Sequence, residues 1–444
     1  MVFGWRRKRP TFGNKGRKKQ QAGANSHLEP LVPQHFLCPI SLSLMKDPVT
    51  LSSGITYDRE NIETWLEAGN FTCPVTNQVL GSFDQIPNHS LRKMIQEWCV
   101  ENRNYGVERI PTPRVPVSPY QVSELLFSVA SSTKSLDRLG CLELVKNINK
   151  WGKESERNRR SIVVNGTSTV LAEAFHAFAM DSFERNACLL DEILFAITWM
   201  FPLDVEAQAQ LGTKVSLECM VWFLKCRAED TSPKQNSILT LKELLSSNQQ
   251  HIESLASIPG VVELLFGFIE KPICPTITKS SLLLVFYLLS SELSGERIKL
   301  EFVNLGLVSL MLKLIVDSEK SLSERALGVL DRLCECEEGR QQVYNNALTI
   351  PVLVKKILRV SELASQYSVS AILKLIKLDK KHEETVLVEA VQVGAFQKLV
   401  LLLQLGCGDD TKEKATELLK LINPYRAGLE CIESVDFKNL KRSF

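Results

Sequence analysis

Residues 35–80 read HFLCPISLSLMKDPVTLSSGITYDRENIETWLEAGNFTCPVTNQVL, and residues 86–99 read IPNHSLRKMIQEWC. Two Cys-Pro steps, at Cys38 and Cys73, stand 35 positions apart. A small module braced by two zinc ions needs four Cys or His ligands for each ion, in closely spaced pairs. This window adds only His35, His89 and Cys99 to the two cysteines, and the chain contains no Cys-x-x-Cys pair. Ligand count therefore excludes zinc here, and we expect neither a metal nor another cofactor.

At these residues the chain resembles the U-box of plant ubiquitin ligases, and the agreement is dense and correctly spaced over about seventy residues. Besides the Cys-Pro steps it includes Asp47-Pro48-Val49, Thr56-Tyr57-Asp58-Arg59, Trp65 and Ile86-Pro87-Asn88. A chance match of this length is far rarer than a match to one short motif. The resemblance implies a small, zinc-free α+β module with a RING-like fold.

The same resemblance implies how such a module works and what it binds. A U-box ligase forms no covalent bond with ubiquitin; it holds a ubiquitin-charged conjugating enzyme and orders the thioester for attack by a substrate lysine. This is catalysis by proximity and orientation. The expected partners are therefore a ubiquitin-conjugating enzyme, ubiquitin and a protein substrate. A transfer nucleophile at Cys38 or Cys73 is disfavoured, because proline follows both and His35 is the only acid/base partner nearby.

The resemblance also implies a docking surface made by two loops. Family positions carried over residue by residue place Ile40 and Leu42 on the first loop and Pro74 on the second. Proline restrains the backbone before Ile40, so we expect an outward side chain in an exposed apolar cluster, which marks a protein interface. The alternatives are that Ile40 and Leu42 are core residues and that Pro74 is a turn proline.

Asn77 departs from the family pattern. Many RING and U-box ligases carry a cationic residue three positions after the second-loop proline, where it bridges conjugating enzyme and ubiquitin. An amide can donate and accept hydrogen bonds, but it lacks the charge assistance of arginine. We therefore treat Asn77 as the candidate linchpin, with reduced activation or dependence on particular conjugating enzymes as the hypothesis.

The remaining motif residues are predicted to be structural. Without zinc, hydrogen bonds and ion pairs must tie the loops, and the suitable side chains are Asp47, Tyr57, Asp58, Arg59 and Asn88. Asn88 precedes apolar residues at helical spacing, which predicts a helix N-cap. The predicted core comprises Ile62, Trp65, Leu66 and Trp98.

Charge is uneven along the chain. The first thirty residues carry eight Lys/Arg and one Glu, a net of +7, so the remainder is about −5 against a total of +2. Such a segment cannot bury a core, and we predict a disordered basic tail over residues 1–30. Three roles are open for this tail: it acts as a nuclear-import signal, it is weakly attracted to an anionic membrane surface, or it only keeps the chain in solution. We expect a cytoplasmic protein that the tail could direct to either place.

Three further segments follow the tail. The U-box-like module is predicted over residues 31–106. Four prolines within nine positions favour an extended linker over residues 107–120: Pro111, Pro113, Pro116 and Pro119. An all-helical solenoid is predicted over residues 121–444.

The solenoid is indicated by a repeated pattern that opens one apolar helical run after another. Its starts are Gly166, Gly212, Gly260, Gly306, Leu348 and Gly394, at intervals of 46, 48, 46, 42 and 46. This period is typical of armadillo or HEAT repeats, and glycine suits the left-handed cap between helices. Residues 323–330 and 338–340 resemble an armadillo helix pair. We expect five to six stacked repeats, a terminal helix near residues 415–423, and a concave face that binds peptides or protein surfaces.

Composition restricts the remaining classes. The 44% hydrophobic content fits a soluble globular protein of two or three domains, and twelve singly spread cysteines fit reduced intracellular thiols. We find no apolar run that could span a membrane and no phosphate-binding, metalloprotease or serine-hydrolase motif. The net acidic body gives no support for specific nucleic-acid binding.

The sequence thus favours a plant-type U-box ubiquitin ligase whose armadillo solenoid recruits the substrate, and plant relatives of this build suggest a role in signalling. The alternative is an armadillo scaffold or adaptor with little intrinsic ligase activity. A nuclear-transport receptor is excluded. Adaptors resembling that class carry a Trp followed four positions later by an Asn, and they repeat this pair on the concave face. Here Trp151, Trp199 and Trp222 are followed at that offset by Ser155, Leu203 and Cys226.

Overall fold

The computed structural model describes residues 32–110, 117–226, 231–378 and 383–425. The predicted basic tail and residues 111–116 of the predicted linker lie outside these ranges. The chain divides into two compact units between residues 115 and 116. Each unit is described separately.

The first unit is a three-stranded antiparallel sheet with two helices, as a small α+β module requires. The sheet order is β2-β1-β3, with Val49 paired to Tyr57 and Thr50 paired to Ile86. Its elements are β1 Pro48–Thr50, β2 Thr56–Asp58, α1 Arg59–Glu67, β3 Ile86–Pro87 and α2 His89–Glu101, with 3₁₀ turns at Gln34–Phe36 and Arg103–Tyr105. Two loops, the first over residues 37–44 and the second over residues 72–79, are each closed by a β-bridge between their end residues.

One apolar cluster holds this unit together. Its buried members include Phe36, Met45, Tyr57, Ile62 and Ile95. Of the predicted core residues, Ile62 is fully buried, whereas Trp65, Leu66 and Trp98 are partly buried at its edge. Val107 and Ile110 also pack on this cluster, so the unit continues past residue 106 into the segment predicted as linker.

The second unit consists of α-helices throughout its described residues. They are α3 Pro119–Lys134, α4 Arg138–Glu154, α5 Glu156–Val164, α6 Thr167–Asp181, α7 Ala187–Thr198, α8 Val205–Leu211, α9 Lys214–Lys225, α10 Ser232–Ser247, α11 Gln249–Ala256, α12 Val261–Glu270, α13 Pro275–Leu289, α14 Gly295–Asn304, α15 Leu307–Asp317, α16 Lys320–Leu333, α17 Glu337–Tyr344, α18 Thr349–Lys356, α19 Glu362–Lys377, α20 Glu383–Gln392, α21 Ala395–Leu405 and α22 Asp409–Ile422.

These helices form six groups of three, from α5–α7 to α20–α22, behind the leading pair α3–α4. The third helix of each group contacts the third helix of the next, from α4 through α7, α10, α13, α16 and α19 to α22. We call the surface along this series the third-helix face. Three helices per repeat confirm armadillo rather than HEAT architecture.

Glycine at the repeat starts acts as predicted at four positions and differently at one. Gly166, Gly260, Gly306 and Gly394 have φ between 74° and 88°, which confirms the left-handed cap. The prediction is wrong for Gly212, whose φ is −77°. A Cβ there would lie 2.1 Å from Nε2 of the buried His251. Close approach of His251, and not backbone conformation, therefore requires glycine at this position.

The linker prediction is wrong at Pro119, which begins helix α3. Proline is tolerated at the first helical position, because the amide hydrogen that it lacks has no partner there. Ser118 caps the helix by accepting a hydrogen bond from the Gln121 amide, and Gln121 accepts one in return from the Ser118 amide. This capping box places the helix start two residues before the predicted boundary.

The described helices differ in length and in apolar content. None of them alone is long and apolar enough to cross a membrane, although two bent pairs pass by length and composition: α11 with α12, and α20 with α21.

Replacing Gly212 by alanine tests the close approach of His251. We expect Gly212→Ala to destabilise the chain by about 1–3 kcal/mol, since the added methyl group overlaps the buried imidazole. Gly267→Ala, in helix α12 with open space around its Cβ, should instead stabilise it by up to about 1 kcal/mol. Chemical denaturation followed by circular dichroism measures both, and equal effects of the two variants would contradict the assignment.

Candidate functional site

The two loops of the first unit repeat the same backbone hydrogen bond. The Leu42 amide donates to the Cys38 carbonyl and the Asn77 amide to the Cys73 carbonyl, each at 2.8 Å. The residue that closes each turn is left-handed, with φ of 57° at Leu42 and 56° at Asn77. The loops are therefore equivalent in structure, with Asn77 as the counterpart of Leu42.

Leu42 is in an unfavourable position for stability on two counts. Leucine rarely adopts a positive φ, because its Cβ crowds the backbone, and its side chain here is 74% exposed. Strained residues that the surrounding fold maintains cluster at functional sites. The alternative that Leu42 is a core residue is wrong. Ile40 on the same loop is 36% exposed and also lies at the surface.

The second loop presents apolar surface at matching positions. Pro74 is half-buried and Val75 is 51% exposed. Val75 was absent from the predicted docking residues, although it follows Cys73-Pro74 as Ile40 follows Cys38-Pro39. This internal repeat of Cys-Pro followed by a branched apolar residue is the signal that could have identified it.

Two consecutive residues of β2 hold both loops. The Tyr57 hydroxyl lies 2.9 Å from the sulfur of Cys73 and accepts a hydrogen bond from the Val75 amide at 3.3 Å. The Asp58 amide lies 3.3 Å from the sulfur of Cys38. Burial, together with the hydrogen bond to Cys73, raises the pKa of Tyr57, so its hydroxyl keeps the proton it donates. One strand end thus fixes the spacing of the two loops.

Asp58 and Asp47 extend this support with charge. One Asp58 carboxylate oxygen accepts hydrogen bonds from the amides of Lys46 (3.0 Å) and Asp47 (2.7 Å), where the chain leaves the first loop. The Arg59 guanidinium binds the Asp47 carboxylate at 2.7 Å and the Gln85 side chain at 3.1 Å. These half-buried contacts join the first loop, helix α1 and the segment before β3.

Asn88 and Trp65 are the remaining supports. Asn88 caps helix α2 by accepting from the Leu91 amide at 3.0 Å, as the sequence predicts. The backbone amide of Asn88 donates to the Pro48 carbonyl at 2.8 Å, which attaches the helix to β1. Trp65, predicted only as a core residue, donates its indole N–H to the Thr72 carbonyl at 2.8 Å and anchors the base of the second loop.

The thiols of Cys38 and Cys73 serve as hydrogen-bond partners in this network. Burial raises the pKa of the Cys73 thiol, but hydrogen bonds that favour the thiolate, including the one with the Tyr57 hydroxyl, outweigh it and lower the value to about 6. A thiolate of this kind is reactive only where a substrate can reach it. Both sulfurs belong to fully buried residues, so covalent transfer through either is not supported. Within the described ranges, no group of three or more His, Cys, Asp or Glu side chains is placed to hold a metal ion.

Comparison with known proteins gives two family matches. The model of the U-box domain matches residues 32–104, and that of the plant U-box protein ARM repeat region matches residues 121–442. U-box domain-containing protein 21 of Arabidopsis thaliana is 46% identical over 416 residues, which cover 93% of each chain. U-box domain-containing protein 20 is 42% identical and covers 95% of this chain and 94% of its own. E3 ubiquitin-protein ligase PUB23 is 36% identical and covers 88% of this chain and 92% of its own. Both are also from Arabidopsis thaliana.

Removal of the Tyr57 hydroxyl tests the strand-end support. We expect Tyr57→Phe to destabilise the first unit by about 1–3 kcal/mol, because the Cys73 sulfur and the Val75 amide lose a buried partner. Tyr105→Phe removes the same group from a side chain that is 58% exposed and should change stability by less than about 0.5 kcal/mol. Hydrogen exchange over residues 72–79 should accelerate in Tyr57→Phe alone. Unchanged exchange in that variant would show that the hydroxyl does not hold the loop.

Proposed function

This chain belongs to the plant U-box proteins that carry an armadillo repeat region, and we propose that it is a RING-type E3 ubiquitin-protein ligase. It docks a ubiquitin-charged conjugating enzyme on its U-box and promotes transfer of ubiquitin to a lysine of a substrate held by the solenoid. The observation that carries this proposal is the pair of equivalent loops, which present exposed apolar residues on a support of buried hydrogen bonds. Relatives of similar length that bear the name E3 ubiquitin-protein ligase add to it.

The docking surface consists of Ile40 and Leu42 on the first loop and Pro74 and Val75 on the second. Association must offset the entropy lost when two proteins combine, and rigid loops lose less of it than mobile ones. The buried contacts of Tyr57 hold this surface before any partner arrives. The apolar side chains then supply the contact area, as exposed apolar patches do in other interfaces.

Transfer itself needs no nucleophile from this chain. The thioester of the charged conjugating enzyme is already reactive, and the incoming amine of a substrate lysine attacks it directly. The ligase contributes by keeping thioester and lysine together in a productive orientation, which reduces the entropic part of the barrier. Transfer without a nucleophile from this chain agrees with the burial of Cys38 and Cys73.

Asn77 is the proposed ubiquitin contact at the rim of this surface, and it has a second, structural reason to be asparagine. Its side chain is exposed, and its φ of 56° lies in the region that asparagine tolerates better than most residues. An amide there can bridge two proteins by hydrogen bonds without the charge assistance of a cation. Weak intrinsic activation is the consequence, and it favours the adaptor as the second candidate function.

Mutation of the docking loops tests the ligase assignment. In self-ubiquitination with activating enzyme, a panel of conjugating enzymes and ubiquitin, we expect Ile40→Ala and Pro74→Ala to lower the rate by about tenfold or more, as loss of an interface anchor does. Val100→Ala, which truncates a 57% exposed side chain of helix α2, should retain the wild-type rate. If the wild type shows no self-ubiquitination with any enzyme of the panel but still binds a conjugating enzyme, the result would instead support the adaptor.

Substitution of Asn77 tests the linchpin. Asn77→Arg should raise the rate of ubiquitin discharge onto free lysine by about three- to tenfold, because it adds charge assistance. Asn77→Gly keeps the left-handed backbone and its backbone hydrogen bond but removes the side-chain amide. It should therefore slow the discharge of ubiquitin without loosening the loop. If both variants discharge ubiquitin at the wild-type rate, Asn77 has no bridging role and its backbone conformation alone explains the residue.

A further inference from the structure

Three repeats of the solenoid meet at an aromatic cluster on the third-helix face. Phe286 of α13 and Tyr367 of α19 lie 6.0 Å apart between ring centroids, although helix α16 stands between their helices. They meet because α16 carries Gly328 there: a Cβ at this residue would be 3.0 Å from the Tyr367 ring and 3.4 Å from that of Phe286. The Arg332 guanidinium stacks on Phe286 at 5.2 Å. Aromatic residues with arginine are the composition of interface hot spots.

This cluster has hydrogen-bond donors that lack acceptors. Within the described residues, the hydroxyls of Tyr287 and Tyr367 and the guanidinium of Arg325 have no hydrogen-bond or ion-pair partner, and Nε of Arg332 is buried without one. Arg325 and Glu243 both face Tyr287. Burial raises the pKa of Tyr287, the Arg325 charge opposes this, and the Glu243 charge adds to it. Water can reach the half-buried donors in the free chain, so a ligand that covers them must supply acceptors in its place.

A cavity of 390 Å³ continues from the cluster toward helix α22. Its lining includes Tyr367, Arg332, Lys374, Lys377 and Lys414, with Asp331 and Glu335 as its acidic members. Both acids are paired within the protein, since Lys374 binds Asp331 at 2.9 Å and Glu335 at 3.1 Å, and Lys299 binds Glu335 at 3.0 Å. The second carboxylate oxygen of Asp331 is buried without a hydrogen-bond partner.

The two rim lysines of this cavity are held less firmly. Lys377 pairs with Glu417, and Lys414 pairs with Asp410 at 2.8 Å. The side chains of these pairs are about half exposed, and ion pairs near the surface contribute little to stability. The lysines can therefore exchange their partners for a ligand carboxylate at small cost. Across cluster and cavity, the groups available to a ligand are cations and hydroxyl donors. The opposing charges are Glu243 beside Tyr287, Glu324 near Tyr367, and the rim carboxylates Glu417 and Asp410.

We infer that the third-helix face of α13, α16 and α19 binds an acidic segment of the substrate, in which a carboxylate side chain stands next to an aromatic or large aliphatic one. The apolar side chain packs on the Phe286–Tyr367 pair, and the carboxylate accepts from Arg325 and the tyrosine hydroxyls. A second carboxylate reaches Lys377 or Lys414. This inference rests on the proposed function, because it names the substrate class that the solenoid would present to the U-box.

Selection from a phage-displayed library of random peptides on the immobilised full chain tests the inference without a presumed sequence. The peptides recovered should be enriched in Asp and Glu beside Phe, Tyr, Trp or Leu. Recovery of no binder, or enrichment in Lys and Arg, would overturn it. The assay contains no conjugating enzyme, so its failure leaves the proposed ligase activity to be decided by self-ubiquitination of the wild type.

Fluorescence polarisation of the best peptide then places the site. Arg325→Gln should weaken binding by about five- to tenfold, the factor of one charge-assisted hydrogen bond at a half-exposed position. Arg325 has no partner to lose, so its replacement should leave the fold intact, as circular dichroism can verify. Glu243→Gln should strengthen binding, since it removes the opposing charge.

Arg157→Gln is the matched control. It makes the same charge change on an exposed side chain of helix α5 and should leave the affinity for the peptide unchanged. Equal weakening in Arg325→Gln and Arg157→Gln would reduce the effect to overall charge and overturn the site. A peptide in which Gln replaces Glu and Asp should bind the wild type and Arg325→Gln equally weakly.

Discussion

The first unit depends on one step of the chain, Tyr57–Asp58, at the end of strand β2. Tyr57 reaches the second loop through the sulfur of Cys73 and the amide of Val75, while the Asp58 amide reaches the sulfur of Cys38 in the first loop. A zinc-built module would fix its loops with metal–ligand bonds. Here a strand end and two buried thiols have that task, because hydrogen bonds in a buried site are directional and costly to break.

The rigidity of this support explains why unfavourable surface features persist above it. Leu42 is left-handed and largely exposed, and Ile40 and Val75 present branched apolar side chains to water. None of these features stabilises the isolated unit. In the proposed function they become favourable when a partner covers them, and a loop held in advance needs little ordering on binding. The solenoid follows the same logic at Gly328, whose missing side chain lets Phe286 and Tyr367 form a surface across three repeats.

Sequence reasoning succeeded where a local rule decides the outcome. The N-cap at Asn88 and the left-handed glycines between helices follow from short-range chemistry. It failed at Gly212, where close packing and not a left-handed backbone requires glycine. It also failed at Pro119, which begins a helix instead of extending a linker. It also missed the role of Trp65 in the second loop, because an indole N–H finds its acceptor only after the chain has folded. Contacts between distant residues leave no local pattern, so the set of side chains in the proposed docking surface came from resemblance and from the structure.

The central claim is that both loops form one surface for a single partner. Hydrogen–deuterium exchange of the full chain, with and without a stably ubiquitin-charged conjugating enzyme, tests this most directly. We expect added protection over residues 37–44 and 72–79 together, with the same midpoint as the enzyme concentration rises. Protection of one loop alone, or of a surface elsewhere on the first unit, would contradict it.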